Sequence, residues 1–209
     1  MDFLSPLFHF FQAGGVFMYP IGVFLVLGLV IAVERMLYLA RSKRENRELW
    51  SRMAPLMAAG DHAGAQKAAQ ESASAIGKVI SYAFAHSNAG RKRADVEMAM
   101  EESLMEVTSL LEKRTHYLAV FANVATLVGL LGTIWGLISA FAAIASLNLA
   151  EKTDVLSASI AEALNCTAFG LLTAVPLLLI HAWLTTRTGE LVDGLEMASV
   201  KFLNSLKLA

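Results

Sequence analysis

The sequence predicts an all-α membrane protein with three transmembrane helices, a periplasmic N-terminus and long cytoplasmic helical extensions. Of its 209 residues, 56% are hydrophobic and only 17% are charged, against about 25% charged residues in an ordinary soluble domain. The stretches 3–33 and 115–150 contain no Asp, Glu, Lys or Arg, and 155–186 contains Glu162 alone. Each stretch exceeds the roughly 20 residues that a helix needs to cross the hydrocarbon core. The predicted spans are 16–40, 116–147 and 157–186.

The N-terminal apolar stretch is longer than one span needs, so residues 1–15 are predicted to form a separate segment. Phenylalanines and leucines crowd this segment before the Gly14-Gly15 pair. We expect a short amphipathic helix in the periplasmic interface; the alternative is a frayed apolar end. A cleaved signal peptide is not expected, because Asp2 stands where a basic start is usual.

The distribution of Lys and Arg predicts the orientation. Most of these residues lie between the first two spans, in 41–115, or after the third span, in 187–209. The N-terminal segment has none, and the short loop 148–156 has only Lys152. The positive-inside rule therefore assigns 41–115 and the C-terminal helix 187–209 to the cytoplasm and the loop 148–156 to the periplasm. A net charge of -1 gives no reason to expect a nucleic-acid partner.

The region 41–115 is predicted to consist of helical pieces joined by short turns. It is rich in Ala, Glu, Gln, Lys and Met, and breaks are expected at Pro55, Gly60-Asp61 and Asn88-Ala89-Gly90. After the last break, apolar residues recur at helical spacing opposite an acidic face: Val96, Met100, Leu104, Val107 and Leu111. No breaker follows, so 93–146 is predicted to be one long helix. The acidic face is either solvated or a contact surface between subunits.

Glu162 is the only charged residue in the stretch 155–186, which holds the third predicted span. An ionisable group at mid-bilayer costs about 2.5–3.5 kcal/mol, so it usually faces protein or water and is a functional candidate. Helical rise places Glu162 about 8–10 Å inside the outer boundary. The alternative is that Glu162 reaches back to the interface from the helix end.

Small and hydroxyl-bearing residues form lanes on the second and third spans. Such lanes allow helices to pack closely in lipid, and Gly132 and Gly136 have the GxxxG spacing. The predicted packing positions are Gly129, Gly132, Gly136, Gly170 and Pro176. Thr133 and Thr167 lie on the same lanes, and a hydroxyl can both donate and accept a hydrogen bond, as a proton or hydrated-ion path requires.

Helix geometry limits how the polar residues can cooperate. Glu162 and Thr167 are five residues apart, roughly 140° around a helix, so both border one pathway only if it is wide or passes between subunits. Pro176 removes a backbone donor and leaves the carbonyl of Leu172 unpaired, with the hydroxyl of Thr173 placed to help. A kink is expected there.

Several functions are excluded by the residue pattern. The Gly129 to Thr133 run has no phosphate-binding Lys and lies in an apolar span, so it is not a nucleotide loop. The five histidines lack ligand spacing, and the single cysteine, Cys166, is read as a small buried residue. No nucleophile is paired with a base, so an enzyme is not expected. No cofactor is predicted.

Two runs of sequence resemble the MotA/TolQ/ExbB proton-channel family. The second span reads GLLGTIWGLISAF from Gly129, and the third reads IAEALNCTAFGLLTAVP from Ile160. The three-span layout over 16–187 is similar to the ExbB/TolQ branch. Asn165-Cys166 adds polarity where many relatives are apolar, which leaves open a distinct subgroup or a different coupling ion.

The resemblance implies a motor subunit of the bacterial inner membrane. In the family, a homo-oligomeric ring, typically a pentamer, encloses a single-span partner resembling ExbD or TolR, whose membrane Asp carries H⁺. Thr133 and Thr167 would face that Asp, with Glu162 near the outer side of the pore and Asn165 beside the pathway. A third component resembling TonB or TolA would use the work for import, envelope maintenance or gliding. Membrane lipids are further expected partners. The alternative is a purely structural membrane scaffold without its own ion path, in which the small-residue lanes only pack helices and Glu162 only anchors the third span.

Overall fold

A computed structural model describes residues 14–145 and 149–205, and over these ranges it contains helices and turns but no strand. The all-α fold class is therefore confirmed. The predicted interfacial segment 1–15 lies almost entirely outside the described residues. The helices are α1 (Met18–Ala58), α2 (His62–Gln70), α3 (Ala75–Asn88), α4 (Arg93–Glu112), α5 (His116–Ile144) and α6 (Leu149–Ser205).

Three helical stretches are long and apolar enough to cross a membrane: Met18–Ala58, Arg93–Ile144 and Lys152–Ser205. They cover most of each of the three predicted spans, which confirms a membrane protein with three apolar helices. The cytoplasmic and periplasmic assignments stay predictions. Helix α6 is 57 residues long and continues through Pro176. Residues 149–156 of the predicted loop are thus helical, since a helix can extend beyond the hydrocarbon.

The prediction of one unbroken helix over 93–146 is wrong. Helix α4 ends at Glu112 and α5 begins at His116, because Arg114 adopts a left-handed φ of 67° that non-glycine residues rarely adopt. A contact with α1 stabilises this end of α4. Buried Arg35 of α1 donates to the carbonyl oxygen of Leu110 at 3.2 Å and also to that of Leu111. These carbonyls belong to the last turn of α4, which has no intrahelical donors of its own.

The remaining turns follow the sequence in part. Breaks at Gly60 (φ 77°) and Gly90 (φ 70°) are confirmed. A break at Pro55 is wrong, because α1 continues to Ala58 and the amide of Ala59 still bonds the Pro55 carbonyl at 3.0 Å. A proline in the last turn removes a single backbone bond, which a 41-residue helix tolerates.

The chain forms two compact units. The apolar unit comprises Met1–Val33 and Arg114–Ala182, and the polar unit comprises Glu34–Lys113 and Trp183–Ala209. The polar unit has a core in which Phe84 of α3 meets Phe202 of α6 edge to face, with ring centroids 4.8 Å apart. The side-chain oxygen of Asn46 in α1 accepts from the amide of Ile76 at the start of α3.

Candidate functional site

Helices α5 and α6 of the apolar unit meet along a seam of small residues. An added Cβ at Gly170 would lie 2.8 Å from the carbonyl oxygen of Ala125, and one at Gly129 would lie 3.2 Å from the carbonyl oxygen of Cys166. At Gly136 it would lie 3.0 Å from the Cβ of Ala163. The two backbones are therefore in direct contact, which only very small side chains permit.

Helix α1 covers one side of this seam. Its Ile21 forms a buried cluster with Ala125 and Cys166, against which Val128 and Phe169 pack. A Cβ at Gly132 would overlap Sγ of Cys166, so the cysteine fills the space left by that glycine. Cys166 is thus the small buried residue that the sequence predicts.

The opposite side of the seam carries three half-buried threonines, Thr126, Thr133 and Thr167. Each lies roughly 60–75° around its helix from the buried stripe, on the flank that faces away from α1. We call this surface the threonine face. Among the described residues it is not covered, and Leu130 beside it is 52% exposed.

The hydroxyl groups of the threonine face donate to backbone carbonyls. Thr133 donates to Leu130 at 2.6 Å within α5, whereas Thr167 donates across the seam to Gly129 at 2.9 Å. Thr126 donates to Ala122 at 3.1 Å. Because each hydroxyl has one proton and two lone pairs, these bonds use the donor and leave acceptor capacity towards the open face.

Glu162 lies on the other flank of α6. It is exposed, and its carboxylate sits against Gly15, so closely that a Cβ there would overlap it. Gly15 has a φ of 73°, which glycine alone adopts without strain. Asn165 is half-buried and lies further round the same flank. Within one chain the structure thus separates Glu162 and Asn165 from Thr133 and Thr167.

The region around Pro176 differs from its prediction. Thr173 is fully buried, but its hydroxyl has no hydrogen-bond partner among the described residues. The suggestion that it compensates for the proline is therefore wrong, and the expected kink stays a prediction. Sequence reasoning also missed Thr126, although its seven-residue spacing from Thr133 places both on one face.

Within 14–145 and 149–205, no three His, Cys, Asp or Glu side chains are grouped so as to hold a metal ion. The threonine face carries three hydroxyl groups contributed by α5 and α6. It offers neutral oxygen atoms set on a rigid backbone contact, an arrangement suited to hydrogen bonding with a neutral or cationic group.

Comparison with known proteins assigns the family. Residues 67–197 match the MotA/TolQ/ExbB proton channel family. The chain belongs to this family. A protein named a biopolymer transport protein ExbB homolog, from Methanothermobacter thermautotrophicus, is 26% identical over 198 residues, covering 94% of this chain and 69% of the relative.

Two further relatives match shorter parts of the chain. The Tol-Pal system protein TolQ of Haemophilus influenzae is 34% identical over 93 residues, 44% of this chain and 40% of that protein. The biopolymer transport protein ExbB of Salmonella typhimurium is 34% identical over 82 residues, 39% of this chain and 33% of that protein. This member of the proton channel family is a multi-pass membrane protein.

Proposed function

We propose that the chain is the channel-forming subunit of an energy-transducing complex that couples the proton motive force to mechanical work in the bacterial envelope. The observation that carries the proposal is the threonine face: hydroxyl groups at Thr133 and Thr167 on an uncovered surface, opposite α1. Family membership and relatives named for biopolymer transport and the Tol-Pal system support this function.

In a ring of copies, the threonine face of each copy would point towards the centre. Polar groups in membrane helices usually face a bundle interior or a water-filled cavity rather than lipid. If copies associate with α1 outward and the threonine face inward, the hydroxyl groups line a central pore. We propose a homo-oligomer, a pentamer as in the resembling family, around the spans of a partner similar to ExbD or TolR in the inner membrane.

The hydroxyl groups would act on a carboxylic acid that the partner brings. A protonated acid donates a hydrogen bond to a free lone pair of the Thr133 or Thr167 hydroxyl oxygen. The hydroxyl group itself continues to donate its hydrogen bond to a backbone carbonyl. After deprotonation the hydroxyl turns and donates to the carboxylate, since it gives up only one bond worth about 1 kcal/mol. The ion is H⁺, no cofactor takes part, and each charge that crosses about 100 mV releases about 2.3 kcal/mol.

Glu162 serves this pathway from the side rather than from the pore centre. Its exposed carboxylate next to Gly15 lies on the α1 flank of α6, away from the threonine face that would line the pore. There it attracts protons to the outer entrance, with Asn165 adding polarity beside it. The output, through a component similar to TonB or TolA, is import, envelope maintenance or gliding.

The test compares two substitutions of the same kind in one helix. Thr167→Val removes a hydroxyl from the threonine face, whereas Thr173→Val removes a buried hydroxyl away from it. In liposomes that contain the chain with its partner, Thr167→Val is expected to reduce proton uptake at least about tenfold, because it removes a hydrogen bond to a charged group worth about 1.5–3 kcal/mol. Thr167→Ser retains transport, and Thr173→Val matches the unsubstituted protein.

The alternative, a structural scaffold without an ion path, gives a different pattern. There Gly132→Leu disrupts assembly through the α5–α6 seam, while Thr167→Val leaves every envelope function unchanged. Full proton uptake by Thr167→Val at normal assembly would contradict the proposal.

A further inference from the structure

The polar unit carries two grooves of opposite charge on either side of the same helix. The acidic groove, a cavity of about 270 Å³, lies between α4 and the C-terminal part of α6. Three carboxylates line it, those of Glu97, Glu101 and Glu196. Leu104 and Val200 provide apolar surface between them.

The basic groove, a cavity of about 260 Å³, lies between α1 and the same part of α6. Lys43, Arg47 and Lys201 line it together with Trp50. Its one acidic residue, Glu190, is already paired with Arg187 at 2.8 Å. Lys201 and Glu196 are five residues apart, which sets the two grooves on well-separated flanks of α6.

The six groove charges have no ion-pair partner among residues 14–145 and 149–205. Neighbouring surface charges pair along their own helix, as Arg41 does with Glu45 at 2.7 Å. In contrast, the structure as described gives no ion pair to the three carboxylates or the three cations that face the grooves. Apolar side chains flank the acidic groove as well, since Met98 and Met105 are 69% and 67% exposed. Apolar surface with unmatched charges is typical of a protein interface.

We propose that the acidic groove of one copy docks against the basic groove of the next copy, with Glu97, Glu101 and Glu196 opposite Lys43, Arg47 and Lys201. The occupant is a second copy because the three carboxylates of one groove match the three cations of the other, while Glu190 of the basic groove is already paired with Arg187. Surfaces that differ, on opposite sides of one subunit, form a heterologous contact, and such contacts close into rings when the rotation permits. This inference rests on the proposed ring and identifies its contact in the polar unit.

Disulfide cross-linking tests the geometry of the contact. Met98 follows Glu97 on α4 and is largely exposed, and Gly194 lines the basic groove with no atom within 4 Å of an added Cβ. Met98→Cys and Gly194→Cys are placed in separate chains with different tags, expressed together with the partner, and oxidised in membranes. The expected product is a mixed dimer, whereas either variant alone gives none. A chain with both substitutions gives a ladder that ends at the ring size.

Charge reversal tests the contact energy, with a matched control on the same helix. The double substitution Glu97→Lys and Glu101→Lys is expected to reduce the assembled fraction at least about tenfold, because like charges then face each other. Adding Lys43→Glu and Arg47→Glu to that chain restores assembly. Glu106→Lys, roughly 140° around α4 from Glu101, has no effect.

The outcomes separate this contact from the proposed function. Rings that transport protons but give no 98–194 cross-link, or a 98–98 dimer, overturn the contact and leave the proposed function standing. Failure to form any oligomer overturns both. If Arg47→Glu removes bound phosphatidylglycerol while Glu101→Lys leaves assembly intact, the basic groove binds lipid and the contact between copies is wrong.

Discussion

Substituting Gly170 by alanine tests whether the backbone contact between α5 and α6 holds the threonine face together. The new Cβ would lie 2.8 Å from the carbonyl oxygen of Ala125, whereas ordinary contact begins at 3.4 Å. The position of the Cβ is fixed by its own backbone and the carbonyl oxygen is part of the backbone, so neither atom can rotate away. The helices must therefore separate by roughly 0.6 Å at this point, the difference between these two distances.

That separation also affects the hydrogen bond from Thr167 to Gly129. Its length of 2.9 Å would increase beyond the usual limit of about 3.2 Å. Losing the bond costs about 1 kcal/mol, overpacking costs about 1–3 kcal/mol, and the better helix propensity of alanine returns about 1 kcal/mol. The expected net loss is about 1–3 kcal/mol, with reduced proton uptake because Thr167 is displaced.

The assay is thermal unfolding of the detergent-solubilised protein, with Gly189→Ala as the control. Gly189 lies in the same helix, and a Cβ there meets no atom within 4 Å. The control should therefore be neutral or more stable, by up to about 1 kcal/mol. If Gly170→Ala unfolds at the same temperature as Gly189→Ala or above it, the backbone contact at the seam is refuted.

Three further substitutions give distinct outcomes. Thr173→Val removes a buried hydroxyl without a partner and should raise the free energy of unfolding by about 1 kcal/mol, measured by chemical denaturation; a loss would reveal a partner for that hydroxyl. Arg35→Met leaves the final carbonyls of α4 without their buried hydrogen-bond donor. It should lower the free energy of unfolding by about 1–3 kcal/mol and speed amide hydrogen exchange in that turn, and unchanged exchange would count against this role of Arg35. Gly15→Ala places a side chain at a positive φ and displaces the Glu162 carboxylate. It should lower the free energy of unfolding by about 1–2 kcal/mol and also reduce proton uptake. A substitution without either effect would contradict that contact.

The sequence predicted those features that depend on the solvent and on side-chain size. Long uncharged stretches predicted the three apolar helices because the thickness of a bilayer sets their length. The small-residue lanes marked the seam, since only Gly and Ala let two backbones touch. Which face of α5 and α6 remains open could not be predicted, because it depends on where α1 packs through Ile21.

Other features depend on tertiary contacts that leave no local mark. The turn at Arg114 contains neither Gly nor Pro. Helix α4 ends just before it, and its last carbonyls accept hydrogen bonds from buried Arg35, which is distant in the sequence. Conversely, Pro55 was predicted to end a helix, but it lies within the last residues of α1, where it removes a single backbone hydrogen bond. Local propensity is a weak prior when burial can outweigh it.

The threonine face has a consequence for how pH acts on this family member. Threonine side chains do not ionise at any pH that a cell encounters, so Thr126, Thr133 and Thr167 present the same dipoles whether the outside is acidic or alkaline. The hydrogen-bonding surface that they form is therefore chemically constant over that range of pH.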